Sequence, residues 1–234
     1  MLDLTGLARH KRPPMGVLIK ICGLNSAEAA DAAARAGADF GGFIFHQGSP
    51  RNLAPEQARL LADRLRGKLR LVAVTSNASD DELAAIVAAV RPDFLQLHGV
   101  ETPERVAAIR GRFSLPVIKA LSIADENDFA PLQSFAPVAD MFLFDARAPK
   151  GAAREGGHGV AFDWSLLKGR AFTRPFLLGG GLDPSNVARA IALSAPSGVD
   201  VSSGVESQPG VKNPGLIADF VSSARKAQLS EVRA

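Results

Sequence analysis

The chain has no tyrosine, one tryptophan and 6 % aromatic residues overall. An aromatic platform for stacking single-stranded nucleic acid is therefore not expected. With one cysteine, Cys22, no intrachain disulfide can form, and a reducing, cytoplasmic setting fits. No apolar run approaches the length of about 20 residues that spans a bilayer. The first 16 residues carry neither an apolar core nor a small-residue cleavage site, so no secretory signal is read. The histidines, His10, His46, His98 and His158, are scattered without HxH or HExxH spacing, so no metal site is expected. No GxGxxG follows a first strand, and a dinucleotide cofactor is not indicated.

What is present is an ordinary globular composition. Of 234 residues, 47 % are hydrophobic and 22 % charged, with a net charge of +3. A chain of this length buries most of its unfolded surface. The mild basic excess suits a small anionic ligand as well as a polyanion. The one compact basic run, Arg9-His10-Lys11-Arg12, precedes Pro13-Pro14 and reads as a solvated tail rather than a nucleic-acid arm. A start at Met15 stays open beside Met1.

From Val17 the chain alternates short β-branched or apolar runs with Ala/Leu-rich helical segments. The runs cover 17–22, 39–45, 69–75, 93–98, 116–121, 138–145, 175–180 and 197–203. Expected helices cover about 27–36, 55–66, 79–90, 102–111, 124–135, 162–167, 183–194 and 214–227. The signals are Asn25 or Ser26 as a cap, Pro55 at a first helical position, and Gly37, Gly67 and Gly111 as stops. Eight strand-then-helix units, apolar on both strand faces, predict a single-domain closed (β/α)8 barrel over residues 17–228. Tails are expected at 1–16 and 229–234. An open doubly wound sheet is the alternative, because strand count does not prove closure. The longest unpatterned stretch, 146–161, follows the sixth strand and is of a length often used functionally.

Barrel active sites lie where strands end. GGGLDPSNV (179–187) and DVSSGVE (200–206) follow strands seven and eight, where backbone N–H groups can approach a phosphate. Gly180, Gly181, Ser202, Ser203 and Gly204 are the candidate anion ligands, against two ordinary glycine-rich turns. Arg51, in SPRNL (49–53), can grip a carboxylate or pair with a nearby acid. Cys22 at the end of strand one is either a base or a small buried hydrophobe. Asp145 ends the apolar run MFLF, which suits a general acid better than a cap or a pair with Arg147. His98 either lines the pocket or bonds backbone.

These motifs resemble the phosphoribosylanthranilate isomerase family. The matching segments are IKICGL (19–24), GGFIF with SPR (41–51), LQLHG (95–99), VIKAL (117–121), FLFDA (142–146), GGHG with FDW (156–164), GGGLDPSNV (179–187) and DVSSGVESQPGVKN (200–213). The resemblance implies an isomerase of the intramolecular oxidoreductase type in tryptophan biosynthesis. Its Amadori rearrangement acts on a small phosphorylated substrate, without metal or organic cofactor. It further implies Cys22 as general base and Asp145 as general acid. Arg51 is implied on the anthranilate carboxylate, with His98, Asp200 and the two glycine-rich loops also binding substrate. Nucleic acid and membrane are not expected partners, and the family contains monomers and homodimers. Departures stand at Gln47 in FHQGSPR, Thr75 in VAVTSN, His158 in GGHG, and Gly179. They bear on loop conformation and KM rather than on reaction type. Two other readings are a different phosphosugar barrel and a phosphate-binding protein without turnover. The Cys/Asp pair argues against the first, and the intact Cys22, Asp145 and Arg51 against the second.

Overall fold

The computed structural model describes residues 16–146 and 161–231, with side chains to residue 227. The basic run at 9–12, Met15, Arg147, His158 and most of the 146–161 loop lie outside the described residues. The strands are β1 (Leu18–Cys22), β2 (Phe40–Phe45), β3 (Arg70–Thr75), β4 (Phe94–Leu97), β5 (Val117–Ile123), β6 (Met141–Ala146), β7 (Phe176–Leu178) and β8 (Gly198–Val201). All pair in parallel and in chain order. The register Leu18↔Gly198 to Ile21↔Val201 joins β1 to β8 and closes the barrel, which decides against the open sheet.

Helices α1 (Ala27–Ala36), α2 (Pro55–Leu65), α3 (Asp80–Val90), α4 (Pro103–Phe113), α5 (Leu132–Phe135), α6 (Val187–Ser194) and α7 (Pro214–Glu231) follow or separate the strands. Their ends obey local chemistry. Ser26 accepts from Ala29 N, Ser79 and Glu82 cap α3 reciprocally, and Thr102 caps α4. None of the described helices is long and apolar enough to cross a membrane.

Four expectations change. α4 runs through Gly111 and stops at Ser114, whose left-handed backbone closes it. Helix tolerates a single glycine when the flanking Val106 and Ile109 are buried. The expected helix over 124–135 splits into a 3-10 turn (Glu126–Phe129) and the single-turn α5, with Pro131 between them. Segment 162–167 is a 3-10 turn (Trp164–Leu167), and Asp183 caps a turn before α6 instead of starting the helix. A two-stranded hairpin, β9 (Glu206–Gln208) and β10 (Val211–Lys212), was not anticipated.

Period-two alternation sorts strand side chains between two cores. Ile19, Ile21, Leu71, Ala73, Phe142 and Phe144 pack outward against the helices. Cys22, Phe40, Val72, Val74, Ile118 and Leu143 pack inside the barrel. Parity therefore turns Lys20 and Cys22 inward on β1, and Asp145, in step with Met141 and Leu143, inward on β6. The opposite parity sends Lys119 of β5 outward, where it is buried on Glu101 at 2.8 Å.

Candidate active site

A cavity opens at the C-terminal ends of the strands. Cys22, Arg51, His98, Asp145, Asp200 and Ser202 all line it, together with Thr75 and Gln96. Six of the ten sequence-predicted site residues thus share one cavity. The other four, Gly180, Gly181, Ser203 and Gly204, lie on the adjoining loops after β7 and β8 and do not line it.

Cys22 is buried. Burial pushes its thiol above the ordinary value; the Lys20 ammonium acts against this, Asp200 with it, and Lys212 against it. Lys20 is fully buried on β1 and donates to Asp200 Oδ1 on the neighbouring β8 at 2.9 Å. Burial disfavours that ammonium, but Asp200 and the Cys22 sulfur outweigh it and hold its pKa above the usual lysine value. The thiol is thus set beside a locked cation, and Asp200 spends one oxygen on that cation while still facing the cavity.

Asp145 Oδ1 accepts from Ala146 N at 2.9 Å, and Oδ2 lies 3.3 Å from His98 Nε2. Gln96 Nε2 lies 3.0 Å from His98 Nδ1. With the amide donating there, the ring proton sits at Nε2 and points at Asp145. His98 therefore contacts the carboxylate as well as lining the cavity. Two buried polar atoms, Thr75 Oγ1 and Gln96 Oε1, have no hydrogen-bond partner among the described residues. Both belong to cavity-lining residues.

Arg51 is 4 % exposed, and its Nε and Nη2 donate to Glu206 Oε1 and Oε2 at 2.6 and 2.7 Å. Of the two sequence readings, pairing with an acid is realised, but in a buried setting and at the cavity wall. Ser202 uses its hydroxyl to donate to Cys22 O at 3.2 Å and to accept from Lys212 Nζ at 3.2 Å. It ties β8 to β1 rather than standing free for an anion. In the loop after β7, Gly180 and Gly181 are consecutive left-handed residues with φ +78° and +65°. A Cβ on Gly180 would strike Ala146 N, so glycine is required there to let this loop close on the end of β6. Gly204 packs against the Leu182 carbonyl and joins the two loops. Among the described residues, no cluster of three or more His, Cys, Asp or Glu is placed to hold a metal.

The family model for N-(5'-phosphoribosyl)anthranilate isomerase matches residues 19–223. The chain belongs to that family. An N-(5'-phosphoribosyl)anthranilate isomerase of Rhodopseudomonas palustris strain BisA53 is 54 % identical over 210 residues, covering 90 % of this chain and 96 % of that protein. The Rhizobium rhizogenes enzyme is 47 % identical over 213 residues, covering 91 % and 96 %. The crystal structure of phosphoribosyl anthranilate isomerase from Thermotoga maritima superposes with a TM-score of 0.80 at 35 % identity, covering 89 % of this chain and 98 % of that one. A second isomerase structure, in complex with reduced 1-(o-carboxyphenylamino)-1-deoxyribulose 5-phosphate, superposes with a TM-score of 0.77 at 34 % identity and the same coverage.

Within this isomerase, four site residues went unsingled in the sequence: Lys20, Gln96, Glu206 and Lys212. Each lies inside a quoted family segment, IKICGL, LQLHG or DVSSGVESQPGVKN. Their partners are mostly remote in the chain. Lys20 and Asp200 are 180 residues apart, and Arg51 and Glu206 are 155 apart. Only strand parity, applied to Lys20 and Gln96, offered a local signal.

Proposed function

We propose that this chain converts N-(5'-phosphoribosyl)anthranilate to 1-(2-carboxyphenylamino)-1-deoxyribulose 5-phosphate in tryptophan biosynthesis, with Asp145 as general acid and Cys22 as general base. One observation carries the assignment of roles: the two side chains, on β6 and β1, face a single cavity that Arg51 also lines. A cytoplasmic location suits a chain whose single cysteine must stay a thiol.

The reaction then runs on the substrate's own nitrogen as electron sink. Asp145 protonates the furanose ring oxygen. The C1'–O bond breaks while the nitrogen lone pair forms a C1'=N iminium. That cation acidifies the C2' hydrogen. Cys22, as thiolate, takes the proton, and the C2'–H electrons form the C1'=C2' bond while the nitrogen recovers its lone pair. The enolamine tautomerises by protonation at C1', leaving a ketone at C2'. C1' is reduced and C2' oxidised, so the redox change is internal. Burial keeps the thiol protonated in the unliganded site; the iminium charge and Lys20 favour the thiolate when it is needed. His98 Nε2, 3.3 Å from Asp145 Oδ2, orients that carboxyl.

Substrate binding divides between the two ends of the molecule. Arg51 takes the anthranilate carboxylate, and the loops carrying Gly180, Gly181, Ser203 and Gly204 take the phosphate. A relative in the family has been solved with a reduced product analogue bearing both groups. Remote binding of this kind fixes the sugar between acid and base. The test is loss of substrate fluorescence from freshly generated N-(5'-phosphoribosyl)anthranilate, coupled to the next enzyme to separate turnover from hydrolysis. Turnover by the wild type that collapses in Cys22→Ser and Asp145→Asn is the expected result. A folded wild type that binds the substrate without turnover overturns the proposal.

A further inference from the structure

Arg51 does not stand alone at the cavity wall. It is one corner of a buried triad with Glu206 and Lys212, whose side chains are 5 %, 4 % and 0 % exposed. Glu206 Oε1 accepts from Arg51 Nε and from Lys212 Nζ, each at 2.6 Å. Glu206 Oε2 accepts from Arg51 Nη2 at 2.7 Å and from Gly210 N at 3.1 Å. Lys212 Nζ also donates to Ser202 O at 2.9 Å. The carboxylate is therefore saturated by protein and has no capacity left for a ligand.

This arrangement has two consequences. Glu206 holds the Nε–Nη2 edge of the guanidinium, so a ligand carboxylate meets the remaining Nη1–Nη2 end of the fork. The aliphatic stem is fixed as well, since any Cβ on Gly23 would lie 2.5 Å from Arg51 Cδ. Two cations against one carboxylate also leave one net positive charge in a buried place, which is costly without an anion to face it. Of the two cations, Arg51 lines the cavity and Lys212 does not.

We propose that Glu206, anchored by Lys212, is the positioning residue of the carboxylate subsite, aiming Arg51 end-on at the substrate so that selection for a carboxylated aryl amine runs through Glu206. This rests on the reading that Arg51 holds the anthranilate carboxylate. Removing the Glu206 charge does not simply make the site more positive. Burial already lowers the Lys212 pKa, and Glu206 is what holds it up. Without Glu206 the lysine is driven toward its neutral form. What is lost is the orientation of the guanidinium.

The test measures dissociation constants for two stable ligands that differ by one group. They are reduced 1-(o-carboxyphenylamino)-1-deoxyribulose 5-phosphate and its phenylamino counterpart without the carboxyl. The quantity read is the ratio of the two affinities in wild type, Glu206→Gln, Glu206→Asp, Arg51→Met and the Arg51→Met/Glu206→Gln double variant. The carboxylate preference is expected to fall about tenfold in Glu206→Gln, with the ligand lacking the carboxyl bound about as before. Glu206→Asp, which keeps the charge but is shorter, should fall between. Arg51→Met should abolish the preference, and adding Glu206→Gln to it should change nothing further. If Glu206→Gln weakens both ligands equally, or leaves the preference intact while Arg51→Met abolishes it, Glu206 is merely structural and the inference fails alone. If Arg51→Met leaves the preference intact, the carboxylate reading fails and the inference falls with it. Should Glu206→Gln not fold, Glu206→Asp carries the same decision.

Discussion

The two mouths of the barrel use aspartate in opposite ways. At the N-terminal mouth, Asp39, Asp93 and Asp140 precede β2, β4 and β6. Each donates its backbone N–H to a residue of the preceding strand and accepts that residue's N–H on its carboxylate. The partners are Ile19, Leu71 and Val117, at 2.7–2.9 Å. Ser197, before β8, uses its hydroxyl on Phe176 N at 3.4 Å in the same sense. Arg225 and Arg110 complete the Asp39 and Asp140 pairs. At the C-terminal mouth, Asp145 accepts one short backbone bond, and its other oxygen faces His98 and the cavity. A carboxylate at a strand start closes the backbone ladder. One at a strand end leaves an oxygen facing the cavity. The same side chain closes the backbone ladder or faces the cavity according to which end of a parallel strand it occupies.

Mutations at the two mouths should therefore separate activity from stability. The largest effect is expected for Cys22→Ser and Asp145→Asn, with kcat reduced by about 10²–10⁴-fold while thermal unfolding stays near wild type. A similar kcat in either variant breaks the contrast. Asp140→Ala should do the reverse. Losing the bonds to Val117 N and Arg110 costs about 2 kcal/mol by denaturant titration, with kcat/KM unchanged. Arg51→Ala should raise KM by about tenfold, more than it lowers kcat, and an unchanged KM removes the carboxylate assignment. The thiol itself can be followed, since Cys22 is the single cysteine. Burial raises its pKa above the ordinary thiol value, so iodoacetamide labelling should still climb at pH 9. Levelling below pH 8 contradicts a thiol raised by burial.

The smallest effect concerns acid. Burial opposes the charge on Glu101 and Glu206, but Lys119 on one side and Arg51 with Lys212 on the other outweigh it, so both carboxyls sit below the ordinary glutamate value. Their stabilisation is complete above the unfolded value and is lost as pH falls through the lowered folded values. Unfolding free energy measured downward from pH 5 should drop, and Glu101→Gln should flatten part of that slope. An unchanged slope would place the acid sensitivity outside Glu101.

Sequence by itself determined the alternation of strands and helices. Period-two runs such as LRLVAVT and capping signals such as Ser79 with Glu82 are local, and local chemistry enforces them. It also placed titratable side chains at the strand ends, because Cys22, Asp145 and His98 terminate runs that are otherwise apolar. It misjudged where Pro131 interrupts a weak helix and where Ser114, not Gly111, stops a strong one. The partnerships of Arg51 with Glu206, of Lys20 with Asp200 and of His98 with Asp145 were decided only by tertiary structure. Closing β8 onto β1 brings the two ends of the chain together, and no local pattern encodes which distant carboxylate a buried cation will meet. Burial completes the decision: inside the barrel an ionised group is tolerated only with a partner, so the fold selects the pairs that the sequence merely makes available.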